Sequence, residues 1–168
     1  MKHQLNNEWS FYYMVPDINK SYVDRIRKVA TFNTIEDFWA LYSRMKRPSE
    51  IDEGAQIHLF KNKMMAVWEN EENSRGGKLV FGLNPKDKDS LWENALMALI
   101  AGNLNEGIAG VVISKKSNYL LSFWITNSEN SLSIKENIIS TLKIDPSTSS
   151  SFKDHNPTNS RYNPRNWI

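Results

Sequence analysis

The stretch IAGVVISKKSNYLLSFWIT, residues Ile108–Thr126, decides the class of fold. Two runs rich in β-branched and aromatic residues, Ile108–Lys115 and Tyr119–Thr126, flank a short turn around Ser117-Asn118. A connection of so few residues permits only antiparallel pairing, because parallel strands need a crossover of about a dozen residues or more. Outward from this hairpin, Trp9–Met14, Ile26–Phe32, Ile57–Lys61 and Leu79–Leu83 have the same strand-forming composition and are bounded by turn formers. Three helical patterns interrupt them: Ile35–Met45 behind a Thr34/Asp37 cap, Leu91–Ala101 behind a Ser90/Glu93 capping box, and Leu132–Lys143 with Ile134, Ile138 and Leu142 on one face. The class is α+β with a mainly antiparallel sheet.

The polar segments Arg47–Gly54, Glu69–Gly77, Asn84–Asp89 and Gly102–Gly107 read as loops too short to be domain linkers. A chain of 168 residues suits one core, so a single domain over 1–168 is expected. From Asp145 to Arg165 the composition turns to Ser, Thr, Asn and Pro, which predicts a mobile or ligand-ordered tail with one short strand around Phe152.

Hydrophobic residues at 40% and charged residues at 24% describe a globular chain able to bury a core, not a disordered one. A formal net charge of +2 falls short of a polymer-coating basic protein, so a nucleic-acid ligand should be short or locally read. The absence of cysteine excludes disulfides and thiolate zinc sites. The first 20 residues are polar and charged, and no stretch approaches the roughly 20 apolar residues needed to span a bilayer. The expectation is a soluble protein of the cytoplasm or nucleus without a membrane partner.

Six tryptophans differ in what their surroundings explain. Trp9 shares a strand face with Phe11 and Tyr13, and Trp92 shares a helix face with Ala95, Leu96 and Leu99, so both read as core. Trp68 instead opens the polar loop Glu69–Gly77. There it either closes a strand end or stacks on a purine, whose Watson–Crick edge Glu69 could read by accepting two hydrogens. Tyr22 stands in a polar approach to a strand, and Lys115 and Lys116 at the hairpin tip, positions that by themselves read as surface. On the first helix Phe38, Leu41, Tyr42 and Met45 share an arc whose rim carries Ile35 and Trp39; on the second, Glu93, Asn94, Met97 and Ala101 point away from the core. There is no phosphate-binding glycine loop, metal-ligand spacing or nucleophile elbow, and His3, His58 and His155 are far apart. No catalytic residue, metal or cofactor is therefore expected.

The blocks Phe32–Tyr42, Val67–Glu71 and Arg75-Gly76-Gly77, with Trp9 before them and Phe123–Thr126 after, resemble the eukaryotic translation initiation factor 4E family of messenger RNA cap-binding proteins over about His3–Lys143, with Phe152–His155 as a further match. The resemblance implies a curved antiparallel sheet backed by three helices, with a 7-methylguanosine triphosphate cap on the concave face. Tyr22 and Trp68 would then sandwich the base, Glu69 read guanine, Trp124 meet the N7-methyl group, and Lys78 with Lys115 or Lys116 meet the triphosphate. It further implies a dorsal surface of His3, Ile35, Trp39, Glu93, Asn94 and Met97 that takes an amphipathic helix of a 4G-like scaffold factor or of a repressor peptide. The chain departs from the family at Tyr22, where most members have Trp, at Leu120, where a second phosphate-binding lysine is expected, and at Glu93/Asn94, where the apolar-then-acidic order is altered. The departures at Tyr22 and Glu93/Asn94 keep a cap-binding repressor as the alternative to an initiation factor. A cap- or nucleotide-hydrolysing enzyme is the competing reading from another class, and no metal-ligand pattern supports it.

Overall fold

A computed structural model describes residues 1–67 and 75–155 of the chain. Strands β1 (Gln4–Met14), β2 (Ile26–Thr34), β3 (Gln56–Lys61), β4 (Gly77–Leu83), β5 (Ile108–Lys115), β6 (Tyr119–Ile125) and β7 (Ser150–Asp154) form one open antiparallel sheet in the order β2-β1-β3-β5-β6-β4-β7. The hairpin expected from the sequence joins β5 to β6, with Lys115 opposite Tyr119. Helices α1 (Ile35–Tyr42), α2 (Lys88–Ile100) and α3 (Ser131–Leu142) back the sheet.

Cross-strand register sorts the side chains into two faces. Phe11, Leu59, Val111, Phe123, Leu79 and Phe152 stand opposite one another across six strands, and all are buried in the main core with Phe38, Trp92, Leu96 and Ile134. The neighbouring row of Tyr12, His58, Val112, Ser122, Val80 and Ser151 faces the other way, because successive side chains of a strand alternate. Register shifts between Phe11 and Tyr12 and between Ile108 and Gly110 mark bulges, which bend strands and increase twist. Glycine is required at the second: a Cβ on Gly110 would run into the Phe60 ring and the Leu59 carbonyl.

The Thr34 hydroxyl accepts from the Asp37 amide at 3.1 Å, capping α1 as the sequence predicts. Within α1, Phe38 and Tyr42 stack at 5.4 Å with their planes 9° apart, and Phe38 also packs on Phe11 and Phe32. Burying rings of this size contributes about 1.5–3 kcal/mol each. α1 ends at Tyr42, not Met45, because Arg44 and Met45 donate three residues back, to Leu41 and Tyr42, and tighten the turn. The Arg47 guanidinium then lies 3.8 Å from the Tyr42 ring centroid and donates to the Tyr42 and Met45 carbonyls at the end of the helix.

α2 begins at Lys88, three residues before the expected start, and the Ser90/Glu93 capping box is not formed: Ser90 donates its hydroxyl to the Asp87 carbonyl instead. Its far end closes as a Schellman motif on Gly102 (φ +78°), where Asn103 donates to Ala98 and Gly102 to Leu99. The tail expected to be mobile is in part regular: Ser147 donates to Asp145 in a turn, and β7 then pairs with β4 along its whole length, placing Phe152 in the core. The rest of that tail lies outside the described residues.

Candidate functional site

The sheet face turned away from the helices carries a cleft of about 870 Å³. Its floor is apolar. Phe123 points into the core, so its neighbour Trp124 points into the cleft, where it is 5% exposed and meets Phe60 edge-on at 5.7 Å. Tyr12, Ala66, Ala109 and Val112 complete this second apolar cluster. The His155 ring, just past β7, lies 4.5 Å from the Trp124 ring, and its backbone amide donates to the Gly76 carbonyl. Two glycines at the start of β4 let it approach its neighbours closely: a Cβ at Gly76 would overlap the Ile125 carbonyl, and one at Gly77 the Lys153 carbonyl and the Phe152 ring.

Polar groups sit above and around this floor. Lys78 stands opposite Trp124 in the β4–β6 pairing, with its ammonium 5.9 Å from the ring centroid. Burial lowers the Lys78 pKa below the ordinary lysine range, and the positive charges of Lys153 and Lys116 add to the effect. Tyr22 lies on the rim, 37% exposed, with the Arg25 guanidinium 6.0 Å from its ring. Beneath the cleft His58 is fully buried, its Nε2 2.7 Å from Gln56 Oε1. An amide oxygen only accepts, so the proton of this bond is on His58 Nε2. Burial, with Lys78 nearby, pushes the His58 pKa down to about 3.

Of the residues expected to bind a ligand, Tyr22, Lys78, Lys116 and Trp124 line the cleft together. Lys115 does not. Alternation puts it on the opposite side of β5 from Ser114 and Lys116, where its ammonium donates to the Ile51 carbonyl at 3.0 Å and lies 5.8 Å from the Tyr119 ring centroid. Trp68 and Glu69 lie outside the described residues; Ala66, two positions before Trp68, lines the cleft. Sequence reasoning missed Arg25, Gln56, Lys153 and His155. For Lys153 a signal existed, since once Phe152 is assigned to the core the residue after it must face the cleft.

A second surface lies on the helix side of the sheet. Trp39 is 43% exposed and Ile35 is exposed beside it, while the edge-on contacts of Trp39 with Phe38 (5.1 Å) and Tyr42 (5.9 Å) hold its ring in place. His3 stands at the start of α1: its carbonyl accepts from the Ile35 amide, and its Nδ1 is 2.5 Å from Glu36, which holds that carboxyl down to about 2. Glu93, half-buried, is near the Tyr42 hydroxyl; burial first, then Glu93 and Asp89, push that hydroxyl up to about 12. Met97 packs against the main core. Asn94 is exposed and lines a groove with Ser90, Leu91, Leu142 and Ile144.

Among the described residues no three His, Cys, Asp or Glu side chains are grouped to hold a metal ion, and no helix is long and apolar enough to cross a membrane. Comparison with known proteins gives one consistent result. The sequence profile of the family described as eukaryotic initiation factor 4E matches residues 4–166. Eukaryotic translation initiation factor 4E1 of Drosophila melanogaster is 36% identical over 167 residues, covering 94% of this chain, which spans 64% of that relative's length. Among solved structures, the complex of C. elegans eIF4E-3 with the 4E-binding protein Mextli and cap analog superposes with a TM-score of 0.88 at 27% identity over 98% of each chain. Schistosome eIF4E complexed with m7GpppG and 4E-BP does so at 0.84 and 30% identity over 97% of this chain and 95% of that one.

Proposed function

The chain belongs to the eukaryotic initiation factor 4E family, and on that premise we propose that it binds the 7-methylguanosine cap of messenger RNA in the concave cleft and recruits a scaffold helix through Trp39 to start translation. The observation that carries the first half is a single cleft with Trp124 as its floor, Tyr22 on its rim and the Lys78 and Lys116 ammonium groups beside them. Tyr22 and Trp68 take the two faces of the base. N7-methylation makes that base cationic, so each aromatic face adds a cation–π attraction to ordinary stacking, which unmethylated guanine lacks. Glu69 accepts from the guanine N1–H and N2–H groups, Trp124 meets the methyl group, and Lys78 and Lys116 face the phosphates. The relatives crystallised with cap analog or m7GpppG have the same fold.

The exposed, pre-positioned Trp39 supports the second half, because a Trp fixed by its neighbours loses little freedom when a helix covers it. A repressor helix would use the same face; the related complexes hold a 4E-binding protein together with a cap ligand. The work is binding, not catalysis, and its place is the cytoplasm, where capped messages are translated. Retention on immobilised 7-methyl-GTP tests the proposal: the protein should elute with free 7-methyl-GTP and stay bound in the same concentration of GTP. Elution by both alike would refute it.

A further inference from the structure

Strand β7 places Lys153 directly opposite Lys78 in the β4–β7 pairing, and Lys78 in turn opposite Trp124 in the β4–β6 pairing, so Trp124, Lys78 and Lys153 form one row across three neighbouring strands. All three face the cleft, with Lys116 entering it from the β5–β6 hairpin. Like charges directly opposite on one sheet face destabilise a fold. Here the repulsion falls on Lys78, a partly buried lysine, and no carboxylate forms an ion pair with Lys78, Lys116 or Lys153 among the described residues. Among the described residues the one acidic residue that also lines the cleft is Asp154.

A lysine on β7 has an ordinary explanation in part, since β7 is an edge strand of the sheet and edge lysines discourage pairing with other chains. Edge protection would be served equally by a lysine on any exposed position of the strand. It does not account for one on the concave face, against a second lysine. Concentrated positive charge at the wall of a cleft instead suits a polyanion, whose arrival removes the repulsion and gains charge-assisted hydrogen bonds.

We propose that Lys153 is a phosphate-binding residue of the cleft, contacting the triphosphate chain beyond Lys78 so that Lys116, Lys78 and Lys153 together hold the anionic part of the ligand. This rests on the cap-binding reading and assigns part of the phosphate contact to β7, the edge strand of the sheet, remote in sequence from Lys78 and Lys116. The contact compensates for Leu120, an uncharged side chain that lines the same cleft. The occupant is one ligand class, a nucleotide carrying several phosphates, and a monophosphate should be too short to gain fully from the site.

The test is calorimetric titration of the full chain, as wild type, Lys153→Gln and Lys153→Arg, with 7-methyl-GMP and 7-methyl-GTP at two salt concentrations. Lys153→Gln should lose about tenfold in affinity for 7-methyl-GTP, as expected for a charge-assisted hydrogen bond, while changing 7-methyl-GMP binding far less. Lys153→Arg should keep most of the triphosphate preference. The salt dependence of 7-methyl-GTP binding should fall in Lys153→Gln, and its ligand-free melting temperature should be equal to or above wild type, which separates lost contact from lost fold. An unchanged ratio of triphosphate to monophosphate affinity in Lys153→Gln would overturn the assignment of Lys153 and leave the cap reading intact. A wild type that binds neither methylated nucleotide would overturn the cap reading and this inference with it.

Discussion

The rings of Trp124 and His155 lie 4.5 Å apart with their planes inclined at 46°, joining the cleft floor on β6 to the residue that follows the edge strand β7. The contact spans β4, which lies between β6 and β7, and the Gly76 carbonyl just before β4 accepts from the His155 amide. One consequence is that the end of β7 belongs to the site, although it is distant in sequence from the other cleft residues.

His155→Ala should therefore loosen Trp124 and weaken 7-methyl-GTP binding by about three- to tenfold, since an aromatic pair of this kind contributes about 0.5–1.5 kcal/mol. His155→Phe should keep most of the affinity. Titration of both variants checks this; equal affinities for His155→Ala and wild type would place the contact outside the binding function.

Lys115 and Lys116 are adjacent in sequence and point to opposite sides of β5. Lys116→Ala should reduce 7-methyl-GTP affinity and its salt dependence, whereas Lys115→Ala should leave both near wild type and cost a little stability by releasing the Ile51 carbonyl. Parallel binding and melting curves distinguish the two. A cap-binding defect in Lys115→Ala as large as that in Lys116→Ala would contradict the observed alternation of β5.

Much of this was legible beforehand, and the reason lies in periodicity. Phe123 and Trp124 are neighbours on a strand, so naming one as core assigns the other to the opposite face; the β5–β6 hairpin and the cap of α1 on Thr34 were equally local signals. Lys115 against Lys116 could have been settled by the same alternation, counting from Ile113. What stayed hidden was long-range. The polar start of β1 at Gln4, the early start of α2 at Lys88 and the pairing of β7 with β4 depend on partners remote in sequence, and so does the meeting of Lys153 with Lys78. The groove that Asn94 lines beside α3 was hidden for the same reason.

His58 predicts a pH dependence of folding. Its pKa is near 3 in the folded protein and near 6.5 when unfolded, so below pH 6.5 the unfolded chain binds the extra proton and stability falls as the pH is lowered. The slope is about 1.4 kcal/mol per pH unit over the window between those values, which amounts to on the order of 2 kcal/mol between pH 6.5 and pH 5. Carboxylates with lowered pKa values, Glu36 and Asp37 among them, act in the same direction at lower pH. The difference between wild type and His58→Asn isolates the histidine: denaturant melts at pH 7.5 and pH 5 should show a smaller loss for the variant, and equal losses would mean that His58 titrates normally.

Trp39 and the cleft lie on opposite faces of the sheet, because α1 packs on the face of Phe11 whereas the cleft floor uses Tyr12. Trp39→Ala should consequently abolish binding of an amphipathic scaffold-type helix, a loss of at least about 2 kcal/mol, and leave 7-methyl-GTP affinity within twofold of wild type. Calorimetry with a peptide of that kind reads both effects. Normal peptide binding by the variant would locate the partner surface elsewhere.

The central claim is selective recognition of a methylated, cationic guanine, and intrinsic tryptophan fluorescence measures it most directly. Titration with 7-methyl-GTP should quench the emission saturably, and GTP at the same concentrations should bind at least about tenfold more weakly, since it lacks the cation–π attraction at both stacked faces. The two nucleotides share every phosphate, so a basic cleft alone could not separate them. Equal quenching and equal affinity for 7-methyl-GTP and GTP would contradict the account.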